Sequence, residues 1–334
     1  MALTLIVSAG SVQAAPSEAT PSAVTTINNE GAGAGAIESQ NRPKSRPKVG
    51  LALGGGGTRG VAHVSVLRVL EKEGIPIDFI AGTSMGAIVG GLYAAGKTCD
   101  EIELMFKNKS MLHSYDTVPI PVRVALIPIF YLPHLLGHHP YDGLYRGNKF
   151  AHFIEKQVPP ERRKLENLKI PFVSVASNLL DGKAYAISTG NIGKAIQASS
   201  AIPALRRPVE WQGKLFVDGG VVDNLPVAQC KAMGADIVIA VDVDESITPV
   251  PTKNFRKIGS VGFRCLNMNL ATMDKPHSEN ADVVIHPDVD GIELLSRKDR
   301  DIEQALASGT KAAIDAIPEI RAEINKKSMQ TAER

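Results

Sequence analysis

Three short stretches hold the residues able to do chemistry. Ser84 stands in Gly82-Thr83-Ser84-Met85-Gly86, where flanking glycines allow a tight strand-to-helix turn that lifts the hydroxyl toward a substrate. A serine so placed is a candidate acyl-transfer nucleophile, and the helix start behind it favours developing negative charge. Upstream, Gly54 to Gly57 are four glycines in a row. Each loses more backbone freedom on folding than any other residue, so the run implies a close approach to this backbone. Bare amides aimed at a reacting carbonyl would stabilise its oxyanion. Asp218 in Phe216-Val217-Asp218-Gly219-Gly220 ends an apolar run and opens a loop able to meet Ser84.

The surrounding pattern supplies the scaffold. Val49–Leu53 reads as a short buried strand, Gly60–Glu73 as a helix, Ile77–Ala81 as a strand and Ser84–Gly96 as a helix rich in small residues. This βαβα series predicts a parallel sheet covered by helices. Successive βα loops of such a sheet emerge at the same strand ends, which places the glycine amides and Ser84 side by side. Thr98 and Glu101 predict a capping box for a third helix running through about Phe106. Further strands are expected within 171–188, around an Asp181-Gly182 turn, and within 210–220, 235–243 and 281–289. An amphipathic closing helix is expected over 297–317.

Other uses of the glycine loop fit less well. Gly55, Gly57 and Gly60 match the dinucleotide fingerprint, but Asp78 lies at the start of the second strand, where it cannot reach a ribose. A Walker-type phosphate loop is excluded, since no Lys-Ser or Lys-Thr follows. The base for Ser84 stays open on residues alone. Asp218 followed by His277 or His286 fits the Ser-Asp-His order of hydrolases, yet only two strands precede the serine, fewer than that fold requires.

Composition narrows the partners. The 334 residues are 44% hydrophobic, with 37 Lys and Arg against 35 Asp and Glu. A nucleic-acid partner, which calls for a strongly basic face, is not expected. Cys99, Cys230 and Cys265 have no Cys-x-x-Cys spacing and read as free thiols. No Asp, Glu and His cluster shows ligand spacing, and His134, His138 and His139 have no acid among them, so neither a metal nor a cofactor is expected. His63 reads as a packed helix residue, and Asp223 and Asn224 as organisers of the turn before Pro226.

Taken together, GGGGTRG (54–60), GTSMG (82–86) and DGG (218–220) resemble the patatin-like phospholipase family, in its bacterial, neuropathy-target-esterase-like branch. The likeness covers roughly residues 48–290, with RGVAHVSVLRVLEKEGI and DNLPV as further matching segments. The resemblance implies a three-layer α/β/α patatin-like fold with a mostly parallel central sheet. It implies a Ser-Asp dyad, with Ser84 as nucleophile, Asp218 as direct base and the Gly55, Gly56 and Gly57 amides as oxyanion hole. Gly82 and Gly86 would then shape the elbow, with Arg59 and Gly60 supporting the loop and Arg59 alternatively attracting phosphate. Phospholipids or related lipid esters are the implied substrates and a peripheral membrane contact the implied setting. An acyltransferase using the same dyad and a non-catalytic regulatory protein on this scaffold are the alternatives.

Outside this domain, expected over 48–320, the chain changes character. Residues 1–15 are apolar, with a small-residue exit at Val12-Gln13-Ala14-Ala15, and read as a signal peptide although no Lys or Arg precedes them. Export to the periplasm or medium is the expectation and a cytoplasmic protein the alternative. Residues 16–47 carry GAGAGA and read as a disordered linker, with the basic residues Arg42, Lys44, Arg46 and Lys48 at its junction with the domain. Residues 321–334 read as a flexible tail. The charge-free stretch VALIPIFYLPHLLG (124–137) is too short to span a bilayer and reads as a lid, an acyl-chain wall or a buried segment.

Overall fold

The computed structural model describes residues 46–115, 141–256 and 260–333. The signal-peptide reading, most of the linker, the 124–137 stretch and His134, His138 and His139 lie outside the described residues.

Among the described residues a single sheet organises the fold. Its strands are β1 (Val49–Leu53), β2 (Phe79–Thr83), β3 (Phe172–Asn178), β4 (Lys183–Ile187), β5 (Val209–Trp211), β6 (Lys214–Asp218), β7 (Ile237–Val241) and β8 (Val283–Ile285), in the order β5-β6-β3-β2-β1-β7-β8 with β4 beside β3. The pairings β3-β2-β1-β7-β8 are parallel, whereas β4, β5 and β6 add antiparallel pairings. The fold is therefore mixed α/β with a mostly parallel central sheet, as expected from the alternating pattern.

Strand period 2 divides the core. Val49, Leu51 and Leu53 of β1, Ile80 of β2 and Ile239 and Val241 of β7 face a large helical layer. That layer contains α1 (Ala62–Lys72), α2 (Met85–Ala94), α3 (Cys99–Lys107), α4 (Ser110–Tyr115), α5 (Asn148–Gln157) and α6 (Ile192–Ser199). On the opposite face, Ala52, Ala81, Val238 and Ala240 are mostly small, and the short α7 (Val227–Ala232) lies close against them. Beyond it runs α8 (Ser260–Glu279), and α9 (Asp299–Glu333) returns to pack along α1. The result is three layers. The Thr98 capping box forms as expected, with the Thr98 hydroxyl accepting from the Glu101 amide and Glu101 accepting from the Thr98 amide.

Three boundaries depart from expectation. The second strand begins at Phe79, because Asp78 is occupied in clamping the start of β1: its carboxylate accepts from the Val49 amide (2.8 Å) and from Arg46 (2.7 Å). Gly57–Val61 form a 3-10 turn ahead of α1. The closing helix runs to Glu333, so residues 321–333 are helical where a flexible tail was expected. Ile320 is buried, Ile324 packs against the core one turn on, and Arg321 pairs with Glu73 at 2.9 Å, which carries the apolar stripe beyond Pro318. Among the described residues no helix is long and apolar enough to cross a membrane.

Candidate active site

The strand pairings explain how two residues far apart in sequence meet. β3 holds β4 along one edge through residues 174–178. Along its other edge it pairs first with β2, where Val175 stands opposite Thr83, and then with β6, where Ala176 stands opposite Asp218. β2 and β6 therefore abut end to end on the same edge. Each strand delivers its final residues to that junction, so Ser84 and Asp218 become neighbours.

Ser84 occupies a strained elbow. Its φ of 51° and ψ of −114° lie in a region that L residues avoid. Gly86 has no alternative in this turn, since a Cβ there would stand 2.2 Å from the Leu53 carbonyl oxygen, and a Cβ on Gly82 would stand 2.6 Å from that of Gly86. The Ser84 amide donates to Ser199 Oγ (2.9 Å), and the hydroxyl donates to Asp218 Oδ2 (2.7 Å). Asp218 Oδ1 in turn accepts from the Gly220 amide at 2.9 Å. Burial pushes the Asp218 carboxyl up from 3.8 to about 6, against the lowering effect of these two hydrogen bonds.

The glycine loop lies against this pair. A Cβ on Gly55 would be 3.1 Å from Ser84 Cβ and 2.4 Å from Asn224 Oδ1, and a Cβ on Gly60 would be 2.6 Å from Met85 Cγ. Gly55 departs from the expected donor set because its amide is already bonded to the Asn224 carbonyl at 3.2 Å. Among the described residues the Gly56 and Gly57 amides have no acceptor. Gly57 has φ of +55° and no room for a side chain, as a Cβ would stand 2.0 Å from the Leu294 carbonyl oxygen. Gly57, Ser84, Ile88, Met111, Ile202 and Leu294 line one mostly apolar cavity.

Arg59 and His63 brace the loop from behind. Arg59 is buried, donating to the Ile292 carbonyl (2.7 Å) and pairing with Glu245 (2.8 Å), so its guanidinium is engaged inside the protein and is not offered to a phosphate. His63 Nε2 lies 2.8 Å from the Gly54 carbonyl oxygen, and burial lowers its pKa to about 4, which keeps the ring neutral at physiological pH.

Neither histidine of the triad alternative bonds to Ser84 or Asp218. His277 Nδ1 lies 3.0 Å from the Leu225 carbonyl and 3.2 Å from Asp223, and His286 pairs with Asp242 at 3.5 Å. Among the described residues no histidine bonds to Ser84 or Asp218.

Two features were not legible in the sequence. Asn224, expected only to shape a turn, bonds to both the amide and the carbonyl of Gly55 and donates to Asp274 at 2.6 Å. Asp242, Asp244 and Asp274 also converge, each with a carboxylate oxygen within 4.8 Å of the others. The sequence reading, which found no acids with ligand spacing, did not single out this group. The three come from the β7 end and from α8, a helix that spacing did not reveal. Burial, followed by mutual repulsion, raises both Asp244 and Asp274.

A family model for the patatin-like phospholipases matches residues 51–231, more than half of the chain. The chain belongs to this family. An uncharacterized NTE family protein of Mycobacterium tuberculosis is 37% identical over 205 residues, covering 61% of this chain and 51% of the relative. Lysophospholipase NTE1 of Saccharomyces cerevisiae is 34% identical over 207 residues, 61% of this chain and 11% of that protein. The chain thus spans about half the length of the mycobacterial relative and a small part of the yeast one. Among solved structures, human GIVD cytosolic phospholipase A2, in complex with methyl γ-linolenyl fluorophosphonate, aligns with a TM-score of 0.49 at 13% identity, over 89% of this chain and 61% of that one.

Proposed function

We propose that this patatin-like protein is a serine acyl hydrolase that cleaves carboxylic esters of phospholipids or related lipids. The observation that carries the reading is the 2.7 Å hydrogen bond from Ser84 to Asp218, made at a strained elbow beside free amides. Lysophospholipase relatives and the apolar cavity support a lipid acyl chain as the group bound.

The chemistry follows from the geometry. Ser84 Oγ attacks the ester carbonyl carbon while its proton passes to Asp218 Oδ2. The carbonyl electron pair moves onto oxygen, and the Gly56 and Gly57 amides hold that oxyanion. As the tetrahedral species collapses, the alcohol leaves with the proton from Asp218. Water then gives one proton to Asp218 as its oxygen bonds to the acyl carbon, and when the bond from that carbon to Ser84 Oγ breaks, Asp218 returns the proton to Oγ, releasing the fatty acid and restoring Ser84. Asp is a weak base in water, but a carboxyl raised to about 6 is better matched to the task.

Labelling of the wild-type chain by a fluorophosphonate, lost in Ser84→Ala, tests the nucleophile. Mass spectrometry of products from a mixed lipid extract tests the substrate class; release of no fatty acid from any lipid would refute the reading.

The pH profile tests the base. The reactive form of Asp218 is the carboxylate, so kcat/KM is expected to rise with pH through about 6 and then level off. The stability effect has the opposite sign. A carboxyl raised in the folded state loses stability as pH climbs from 3.8 to about 6. Asp218→Asn should therefore melt higher than wild type at pH 8 and no higher at pH 4.

The dyad uses no metal in any step. Turnover in EDTA is expected to equal turnover without it, and a loss restored by calcium would assign a cation to the Asp242, Asp244 and Asp274 cluster.

A further inference from the structure

Helix α8 is amphipathic in the wrong sense for a helix that only packs on a core. Its inward positions are Asn267, Leu270 and Asp274, two of them polar, whereas Val261, Phe263 and Met268 face outward at 57%, 46% and 48% exposure. Phe255, in the 3-10 turn Thr252–Arg256 just before it, is also exposed. Between these segments lies a groove of about 650 Å³, lined by Val250, Phe255, Phe263, Leu294 and Leu295 among others. Leu294 and Leu295 also line the Ser84 cavity, so the groove and the candidate active site share a wall.

The charges around this face are mostly basic. Lys253 and Arg256 are exposed, and Arg264 is half-buried at its edge, donating to the Thr248 carbonyl at 2.6 Å. Of the acids lining the groove, Glu245 is engaged by Arg59 and Asn267, which leaves Glu293, 3.9 Å from Lys298. Exposed aromatic and aliphatic side chains flanked by Lys and Arg are the composition of a surface that enters the headgroup region of an anionic bilayer.

We propose that the face formed by residues 250–256 and 260–268 docks this protein on an anionic phospholipid surface, with Phe255 and Phe263 entering the interface and Lys253, Arg256 and Arg264 meeting lipid phosphates. Docking there presents the shared Leu294–Leu295 wall to the membrane, so a lipid enters the Ser84 cavity from the bilayer side. The choice of a bilayer as occupant rests on the lipid-hydrolase reading, and binding is therefore measured apart from catalysis. The same helix holds Asn267 against Arg59 and Asp274 against Asn224, the residues that brace the glycine loop. The membrane-facing and loop-bracing sides thus belong to one helix.

The test uses full-length Ser84→Ala, which cannot hydrolyse the probe, sedimented with vesicles of phosphatidylcholine containing about a third phosphatidylglycerol. The parent is expected to co-sediment with these vesicles and far less with pure phosphatidylcholine, and added salt should weaken binding. Phe255→Ser with Phe263→Ser, and separately Lys253→Glu with Arg256→Glu, should each lower partitioning at least about tenfold. With Ser84 intact, both pairs should retain turnover of a short soluble ester within about twofold, since neither touches the dyad. The charge pair alters only exposed side chains, so it keeps the test decisive if the Phe pair melts early. Unchanged vesicle binding in the charge pair, no binding by the parent, or equal binding to neutral vesicles would overturn the proposal. So would a change of oligomeric state in the Phe pair, which would make this face a contact between copies of the chain.

Discussion

Ser84→Ala and Asp218→Asn are each expected to lower turnover by at least about 10³-fold, and the double variant to be little worse than either. Both halves of one proton transfer are lost together, because the proton leaving Ser84 Oγ has Asp218 Oδ2, 2.7 Å away, as its only acceptor among the described residues. Steady-state rates of the three variants on a soluble ester measure this directly. His277→Ala and His286→Ala should keep most activity, since their rings bond to Asp223, Leu225 and Asp242. A folded histidine variant as inactive as Ser84→Ala would replace the dyad with a Ser-Asp-His triad.

Gly57→Ala is expected to cost about 10²-fold or more in kcat/KM while leaving Ser84 and Asp218 chemically intact. Its Cβ would meet the Leu294 carbonyl at 2.0 Å, and φ of +55° is unfavourable for alanine, so the backbone must turn and carry its amide out of line. Loss of one such donor costs on the order of 10² to 10³ in other acyl-transfer sites. Gly56→Ala gives the contrast. Its Cβ would meet a methyl of the buried Val243 at 2.7 Å and that residue's carbonyl oxygen at 3.2 Å, a milder backbone clash than at Gly57, so its loss should be the smaller, about tenfold. Fluorophosphonate labelling rates rank the variants, and equal losses at both positions would show that the loop responds as a whole.

Much of the site was legible in the sequence because local geometry dictates it. A serine at a positive φ between a strand and a helix needs glycine at Gly82 and Gly86, and a loop that offers bare amides needs a run such as Gly54 to Gly57. The strand period of 2 and the βαβ series likewise fix a parallel sheet whose loops emerge together. Those signals are carried by adjacent residues.

The tertiary structure alone decided the rest, and the reason in each case is a long-range contact. Which of the loop amides are free depends on Asn224, whose carbonyl occupies the Gly55 amide from 169 positions away. That Asp218 lies within hydrogen-bond reach of Ser84 depends on β2 and β6 ending against the same edge of β3. Asp274 lies far in sequence from the Asp242-x-Asp244 pair and joins it only where α8 folds back over the β7 end. Helix α8 itself was hidden, since period reading assumes that the apolar face turns inward, and here the inward face is held by Asn267 and Asp274 while Phe263 points to solvent. Residue type and spacing thus determined the chemistry this chain could attempt, and the pairing of distant strands determined which atoms are in position to perform it.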